Sequence, residues 1–168
     1  VRRQRQMCIR DRLPDGVKVE TRGMIAWNAS DYNGEPDAQI IKGLGHSQSA
    51  VLLPKGKTLT YEVYTASSGN AVLRTALLPG HAVNGGHLRY SVSVDELPSR
   101  IVAYDAVIGT GEWKSNVLRG QTLKETFFQL DTPGRHIIRI KALDNDVVID
   151  QLMLDFDVER KFYQFPVR

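Results

Sequence analysis

The chain has 168 residues, with 22 lysines and arginines against 19 aspartates and glutamates and a formal net charge of +3. That excess is local: the first twelve residues, VRRQRQMCIRDR, hold five arginines, one aspartate and the only cysteine, and the rest carries 17 basic against 18 acidic side chains. A charge-balanced, cysteine-free body excludes a nucleic-acid footprint, disulfides and cysteine metal sites, and its length suits one domain rather than two.

In chain order, the arginine-rich start comes first. Arginine-rich ends can bind phosphate by displacing condensed counterions. A mitochondrial presequence would need an amphipathic apolar face, and only Val1, Met7, Cys8 and Ile9 are apolar here; a secretory signal would need an apolar core after the charges. RQRQMCIRDR also resembles the translation of a sequencing-adaptor read. On that reading residues 1–12 are a non-native leader, the native chain was cut upstream of Leu13, and residues 13–168 form the domain.

From there the dominant period is two. Short strands are predicted in VKVET, GMIAW, AQIIKGL and SAVLLP, then in TLTYEVYTA, where Leu59, Tyr61 and Val63 alternate with polar neighbours. AVLRTALL, LRYSVSVD (Leu88, Tyr90, Val92 and Val94 inward) and RIVAYDAV follow, then KETFFQL, HIIRIKAL (Ile138, Ile140 and Ala142 inward) and VVIDQLMLDFD. The last is apolar on both phases and belongs near the middle of a sheet. Turn residues separate them at 54–56, 67–70, 79–86, 109–111, 131–134 and 144–146. The spacing predicts an all-β fold, an antiparallel β-sandwich or jelly roll. A short helix in WKSNVLRGQTLKETF, lined by Val117, Leu118 and Leu123 and weakened by Gly120, is the one rival. Phe162, Tyr163, Phe165 and Pro166 make the tail from Val158 to Arg168 a packed terminal segment. No apolar run approaches the ~18 residues of a membrane span, so neither nucleic acid nor membrane is expected as a partner.

The chemistry-bearing candidates are few. Of His46, His81, His87 and His136, the pair His81 and His87 lies six residues apart in the glycine-rich GHAVNGGH, wider than a zinc site prefers, and reads as loop histidines bonded to backbone or facing water. GLGHSQS lacks the glycine on either side of a serine that a nucleophile elbow needs, so its glycines read as a tight turn. LLPKGKTLT lacks the first glycine of a P-loop. No cofactor or metal is expected. Asp155 and Asp157 would share a strand face at the separation of a glycosidase pair, but they read as solvated carboxylates neutralised by Arg160 and Lys161. A sugar site places an aromatic ring under the apolar face of a pyranose and polar groups around its rim. Trp27 with Asn28, Asp31 and Tyr32, and Trp113 with Asn116 and Arg119, are the two sets that could do so. Both tryptophans also suit a sandwich core.

IIKGLGHSQSAVLLPKG, LRTALLPGHAVNGGHLRYSVSVDE, GEWKSNVLRGQ, GRHIIRIKALDNDVVIDQLMLDFD and RKFYQFP, taken in order, resemble the C-terminal domain of glycoside hydrolase family 115, the xylan α-glucuronidases. The resemblance runs from about Met24 to Val167. It implies a galactose-binding-like sandwich that ends a long multidomain enzyme, whose catalytic carboxylates lie on an upstream barrel and so correspond to no residue here. Partners implied are that catalytic domain, a second subunit and xylan-type polysaccharide. A cysteine-free body fits a periplasmic or extracellular bacterial location. Related carbohydrate-binding sandwiches often carry Glu-Ala-Glu in the first strand to hold calcium. Asn28 and Ser30 stand in those places here, and Asp31 alone cannot supply the six to eight oxygens that calcium takes.

Overall fold

The computed structural model describes residues 13–82 and 86–167. The arginine-rich leader, and the adaptor reading with it, lies outside the described residues. β1 (Lys18–Val19), β2 (Met24–Asn28), β3 (Gln39–Lys42), β4 (Ser49–Leu53), β5 (Thr58–Thr65) and β6 (Gly69–Leu77) precede β7 (Arg89–Val94) and β8 (Arg100–Ala103). The helix α1 (Gly111–Arg119) then leads to β9 (Thr122–Leu130), β10 (Gly134–Ala142) and β11 (Val147–Asp155). Every predicted strand is present, with Gly69, Asn70 and Gly134 drawn from the expected turns into β6 and β10.

The strands form two sheets, ordered β1-β5-β10-β7-β8 and β3-β4-β11-β6-β9. All pairs are antiparallel except β1 with β5, where Lys18 meets Val63 in parallel. The predicted inward residues Leu59, Tyr61, Val63, Leu88, Tyr90, Val92, Val94, Ile138, Ile140 and Ala142 are all in the core between the sheets. Strict alternation is what puts them there, because a one-residue slip would turn every one of them to water.

β11 is central, as its apolar character on both phases predicts, and two strands share one of its edges. β4 pairs with Val147–Ile149 and β2 with Gln151–Asp155, while β6 runs along the other edge. The register shifts between Ile149 and Gln151, which leaves Asp150 as the extra residue of a bulge at the point where β4 hands over to β2.

The short helix weighed as the rival is present over Gly111–Arg119, but it faces the other way. Thr110 Oγ1 accepts from Trp113 N (3.2 Å) at its start, and Gly120, at φ 70, ends it by donating to the Val117 carbonyl (3.2 Å). Gly120 is therefore a C-cap rather than an interior cost. Asn116 is the buried residue, Val117 and Leu118 are 51% and 89% exposed, and Leu123 belongs to β9. α1 connects β8, an edge of one sheet, to β9, an edge of the other.

The C-terminal tail is packed, as expected. Phe162, Phe165 and Val167 cover Ala76, Met153, Met24, Ala26 and Leu123 on the outer face of the second sheet. Arg74 fastens this cover: it stacks on Phe162 (5.3 Å), donates to the carbonyl of Val158 (3.1 Å) and pairs with Asp155 (2.6 Å) and Glu125 (3.0 Å).

Candidate functional site

Two neighbouring features gather the polar residues of β2. The first is a knot around the bulge. The Asp150 carboxylate, fully buried, accepts from the backbone N–H of His46 (2.8 Å) and Ser47 (3.1 Å), from Ser47 Oγ (2.5 Å) and from Gln121 Nε2 (2.6 Å). A buried carboxylate without a cation needs several such donors to offset its lost hydration. Gly45, at φ +78, is required here, since a Cβ would fall onto the Asp150 carboxylate. From Gln121 a line of amides runs outward: its Nε2 donates to Gln151 Oε1 (3.2 Å), and Gln151 Nε2 donates to Asn28 Oδ1 (3.1 Å). A polar cavity of about 410 Å³ lies over this line, bounded by Asn28, Asp31, His46, Ser47 and Gln164.

The second feature is a groove of about 550 Å³ between β1 and the free edge of β2, closed at one end by Pro166 and Val167. Lys18, Arg22, Trp27, Asp31 and Tyr32 line it. Lys18 Nζ donates to the Gly16 carbonyl (3.3 Å) and lies 5.5 Å from the centroid of the Tyr61 ring. Burial lowers its pKa from the usual lysine range, while Asp31 and Glu62 pull it back upward. Burial, with Asp31 and Tyr32 adding to it, holds the Tyr61 phenol well above the ordinary tyrosine range; its hydroxyl donates to the Ala29 carbonyl (2.7 Å).

The two sets of candidate sugar ligands are thus placed differently from an open platform. Trp27 is 2% exposed and packs on Tyr61 in the core, so its ring offers no face to solvent. Asn28 and Tyr32 are half-buried beside the cavities. Trp113 is half-buried in the first turn of α1, Asn116 faces the body and Arg119 is exposed. His46 stands between the two sets: its Nε2 is 2.9 Å from the Arg119 carbonyl, and it lines the polar cavity together with Asn28 and Asp31.

The profile of the glycosyl hydrolase family 115 C-terminal domain matches residues 18–167. The chain belongs to that family of domains. Among solved structures, a family 115 4-O-methyl-α-glucuronidase with specificity for decorated arabinogalactans superposes with a TM-score of 0.74 at 32% identity, covering 80% of this chain and 18% of that one. The family 115 C-terminal domain therefore spans about a fifth of that enzyme's length. At 14% and 16% identity the fold alone is shared with two carbohydrate-binding modules. These are the C-terminal family 6 module of LamC, a marine laminarinase from Zobellia galactanivorans (TM-score 0.58; 79% of this chain, 98% of that), and a family 35 module from Clostridium thermocellum (0.56; 77% and 97%). None of the curated protein sequences matches. The domain is a galactose-binding-like β-sandwich.

In this family 115 domain the positions where related sandwiches place calcium carboxylates do not fit a calcium ion. Asn28 accepts from Gln151, Ser30 Oγ shares a hydrogen bond with Ser49 Oγ (2.9 Å), and Asp150 already has four donors. Asp155 requires a correction. It is fully buried rather than solvated, held by Arg74 (2.6 Å) as well as by the expected Arg160 (2.7 Å), and Asp157 lies beyond the strand, where its N–H donates to Asp155 Oδ1 (2.9 Å). His46 Nε2 bonds the Arg119 carbonyl (2.9 Å), whereas His136, buried in β10, bonds the Thr132 carbonyl (3.0 Å) and pairs with Asp95 (2.6 Å), and His87 lies 3.3 Å from Asp105. Sequence reasoning gave no role to Arg74, Asp150 or Lys18, though it counted Asp150 among the carboxylates crowding the last strand. The signal for the first two was present: each is a lone charge in an apolar strand, in AVLRTALL and VVIDQLML, and such a charge must be paired or hydrogen-bonded.

Proposed function

We propose that residues 13–168 act as a non-catalytic accessory domain at the C-terminus of an α-glucuronidase that removes glucuronic acid, or its 4-O-methyl form, from xylan side branches. In this reading the domain docks on the catalytic part of its parent chain, or on a second subunit, outside the cytoplasm in a bacterium. The observation that carries it is the inverted helix α1. A surface helix ordinarily buries its apolar stripe and shows its polar one; α1 buries Asn116 and displays Val117 and Leu118, and Val107 and Ile108 just before it are 74% and 67% exposed. Apolar side chains gathered in one stretch of surface in this way suit a cover supplied by another part of an assembly. The use of Asp150 and Asp155 as structural carboxylates supports the non-catalytic part, because both are fully buried and held by hydrogen bonds from neighbouring side chains. No helix among the described residues is long and apolar enough to cross a membrane.

Two experiments test this. The purified chain should release no glucuronic acid from glucuronoxylan or from decorated arabinogalactan, whereas the complete gene product should; turnover by the chain alone would overturn the reading. Leu118→Glu should leave the melting temperature of the isolated chain within a degree or two, since an exposed side chain contributes little to stability, yet weaken its co-purification with the remainder of the parent expressed separately. Unchanged association of the Val117→Glu, Leu118→Glu double variant would remove α1 as the docking face.

A further inference from the structure

The outer face of the first sheet carries two adjacent cations that the fold leaves unpaired. Ile138 and Ile140 of β10 are in the core, so Arg139 and Lys141, on the other phase of the strand, face outward. They stand about 6.6 Å apart along the strand, and neither forms a salt bridge with another described residue. Arg139 makes one hydrogen bond, 3.5 Å to the Asp95 carbonyl. The carboxylates around them are taken: Asp95 is bonded to His136 Nδ1 (2.6 Å) and to the Ile137 N–H (2.8 Å), Glu62 pairs with Arg135, and Asp144 pairs with Arg89 (2.9 Å). The register then sets a hydroxyl on each side of each cation. Arg139 stands between Thr60 of β5 and Ser93 of β7, and Lys141 between Thr58 and Ser91. None of these four hydroxyls is hydrogen-bonded to another described residue. A groove of about 370 Å³ lies over the array, with no carboxylate among its described lining residues, and Ile101, 68% exposed, gives it an apolar wall together with Leu143.

We propose that this face binds a tetrahedral oxyanion ester, a sulfate or phosphate monoester, between Arg139 and Lys141, with its carbon part on Ile101 and Leu143. Two like charges at that spacing repel, and an anion held by both relieves the repulsion. Arginine offers a planar fork of donors and lysine a point charge, and each makes stronger bonds to an ionised oxygen than to a neutral one. The hydroxyl rows decide the shape of the anion. A carboxylate is planar and has two oxygens, so once it meets the two cations it has none left for the serines and threonines. A tetrahedral ester turns three oxygens toward the sheet, enough for both cations and a flanking hydroxyl. A neutral ligand would leave the cations without a counter-charge. The groove falls within the size range of small-ligand sites. No residue of α1 lines it, so the assignment stands or falls separately from docking on a parent.

The test is an NMR titration of the whole chain at constant ionic strength, following the backbone amide resonances with phenyl sulfate, phenyl phosphate and benzoate as probes. At least one ester should shift the signals of Ser91, Ser93, Arg139 and Lys141 saturably, with a dissociation constant in the millimolar range, and the tighter of the two names the ester. Benzoate, the same ring on a planar anion, should bind at least about tenfold more weakly. Lys141→Gln and Arg139→Gln should each raise the dissociation constant for the tighter ester by about tenfold or more, with the melting temperature unchanged. Should Arg139→Gln fail to fold, Lys141→Gln decides, because its side chain is exposed. Arg100→Gln is the control: Arg100 is exposed on the edge strand β8, opposite core-facing Val92 in the register and so off this face, and its loss should leave the affinity unchanged. No saturation by about 50 mM, equal binding of benzoate, shifts confined to other parts of the chain, full affinity in Lys141→Gln, or an equal loss in Arg100→Gln would each overturn the assignment.

Discussion

Trp27→Ala is expected to destabilise the domain by about 3–5 kcal/mol, the range for truncating a large buried aromatic. The indole is 2% exposed, sits in the apolar core beside Ile25 and Ala29, and packs against Tyr61 at 5.5 Å between centroids with the planes tilted by 55°. Removing it leaves a cavity beneath β2, a strand that is paired in its sheet with β11. A loss of that size is a large fraction of the roughly 5–15 kcal/mol that keeps a domain folded. Urea unfolding followed by circular dichroism measures it, and Trp27→Phe should cost less because most of the ring volume is retained. A loss below about 1 kcal/mol would show that Trp27 does not anchor the core.

The second large effect is expected at Asp155. Asp155→Ala leaves the Arg74 guanidinium buried, its side chain only 3% exposed, with Glu125 as its remaining carboxylate. Breaking a buried pair by deleting one partner typically costs about 3–5 kcal/mol, much of it from the charge left behind. Because Arg74 also stacks on Phe162 and holds the Val158 carbonyl, the damage should reach the tail. Thermal unfolding should show the loss, and limited proteolysis should cut after Lys161 earlier than in the parent chain. Pairing Asp155→Ala with Arg74→Met should recover much of the stability, since the uncompensated cation is gone. If the double variant is as unstable as the single one, the explanation from a stranded charge fails. Arg160→Ala should cost far less, because Arg160 is more exposed and Arg74 still neutralises Asp155.

How much of this was legible in advance follows from the range over which each signal acts. The alternation of Leu59, Tyr61 and Val63 against Thr60, Glu62 and Tyr64 is written within one strand, and it settled both the strand and its inward face, as did LRYSVSVD and HIIRIKAL. The double-phase apolarity of VVIDQLML placed β11 in mid-sheet for the same local reason. The spacing of the strands already pointed to a sandwich, and the ordered resemblance added its family, which the profile match and the solved glucuronidase structure bear out.

The partners of the charged and polar side chains were decided elsewhere. Arg74 and Asp155 are 81 residues apart, and His46 and Asp150 are 104 apart; no local pattern sets those pairings. They arise because β6 and β11 register Arg74 opposite Met153, two residues from Asp155, and because a bulge in β11 puts Asp150 beneath the turn at Gly45. The same holds for α1: Gly120 reads from the sequence as an interior cost, and neither the capping by Thr110 and Gly120 nor the rotation of the helix was foreseen. Val117 and Leu118 could have lined a core by their chemistry, and only the position of the sheet edges under the helix buries Asn116 instead. By itself, then, the sequence determined the strands, their inward faces and the family, because period and composition act between neighbours. Tertiary structure alone decided which charges are buried, which apolar residues remain in water and which donors line the β1–β2 groove, because those outcomes depend on the register of strands that meet only once the sheets have formed.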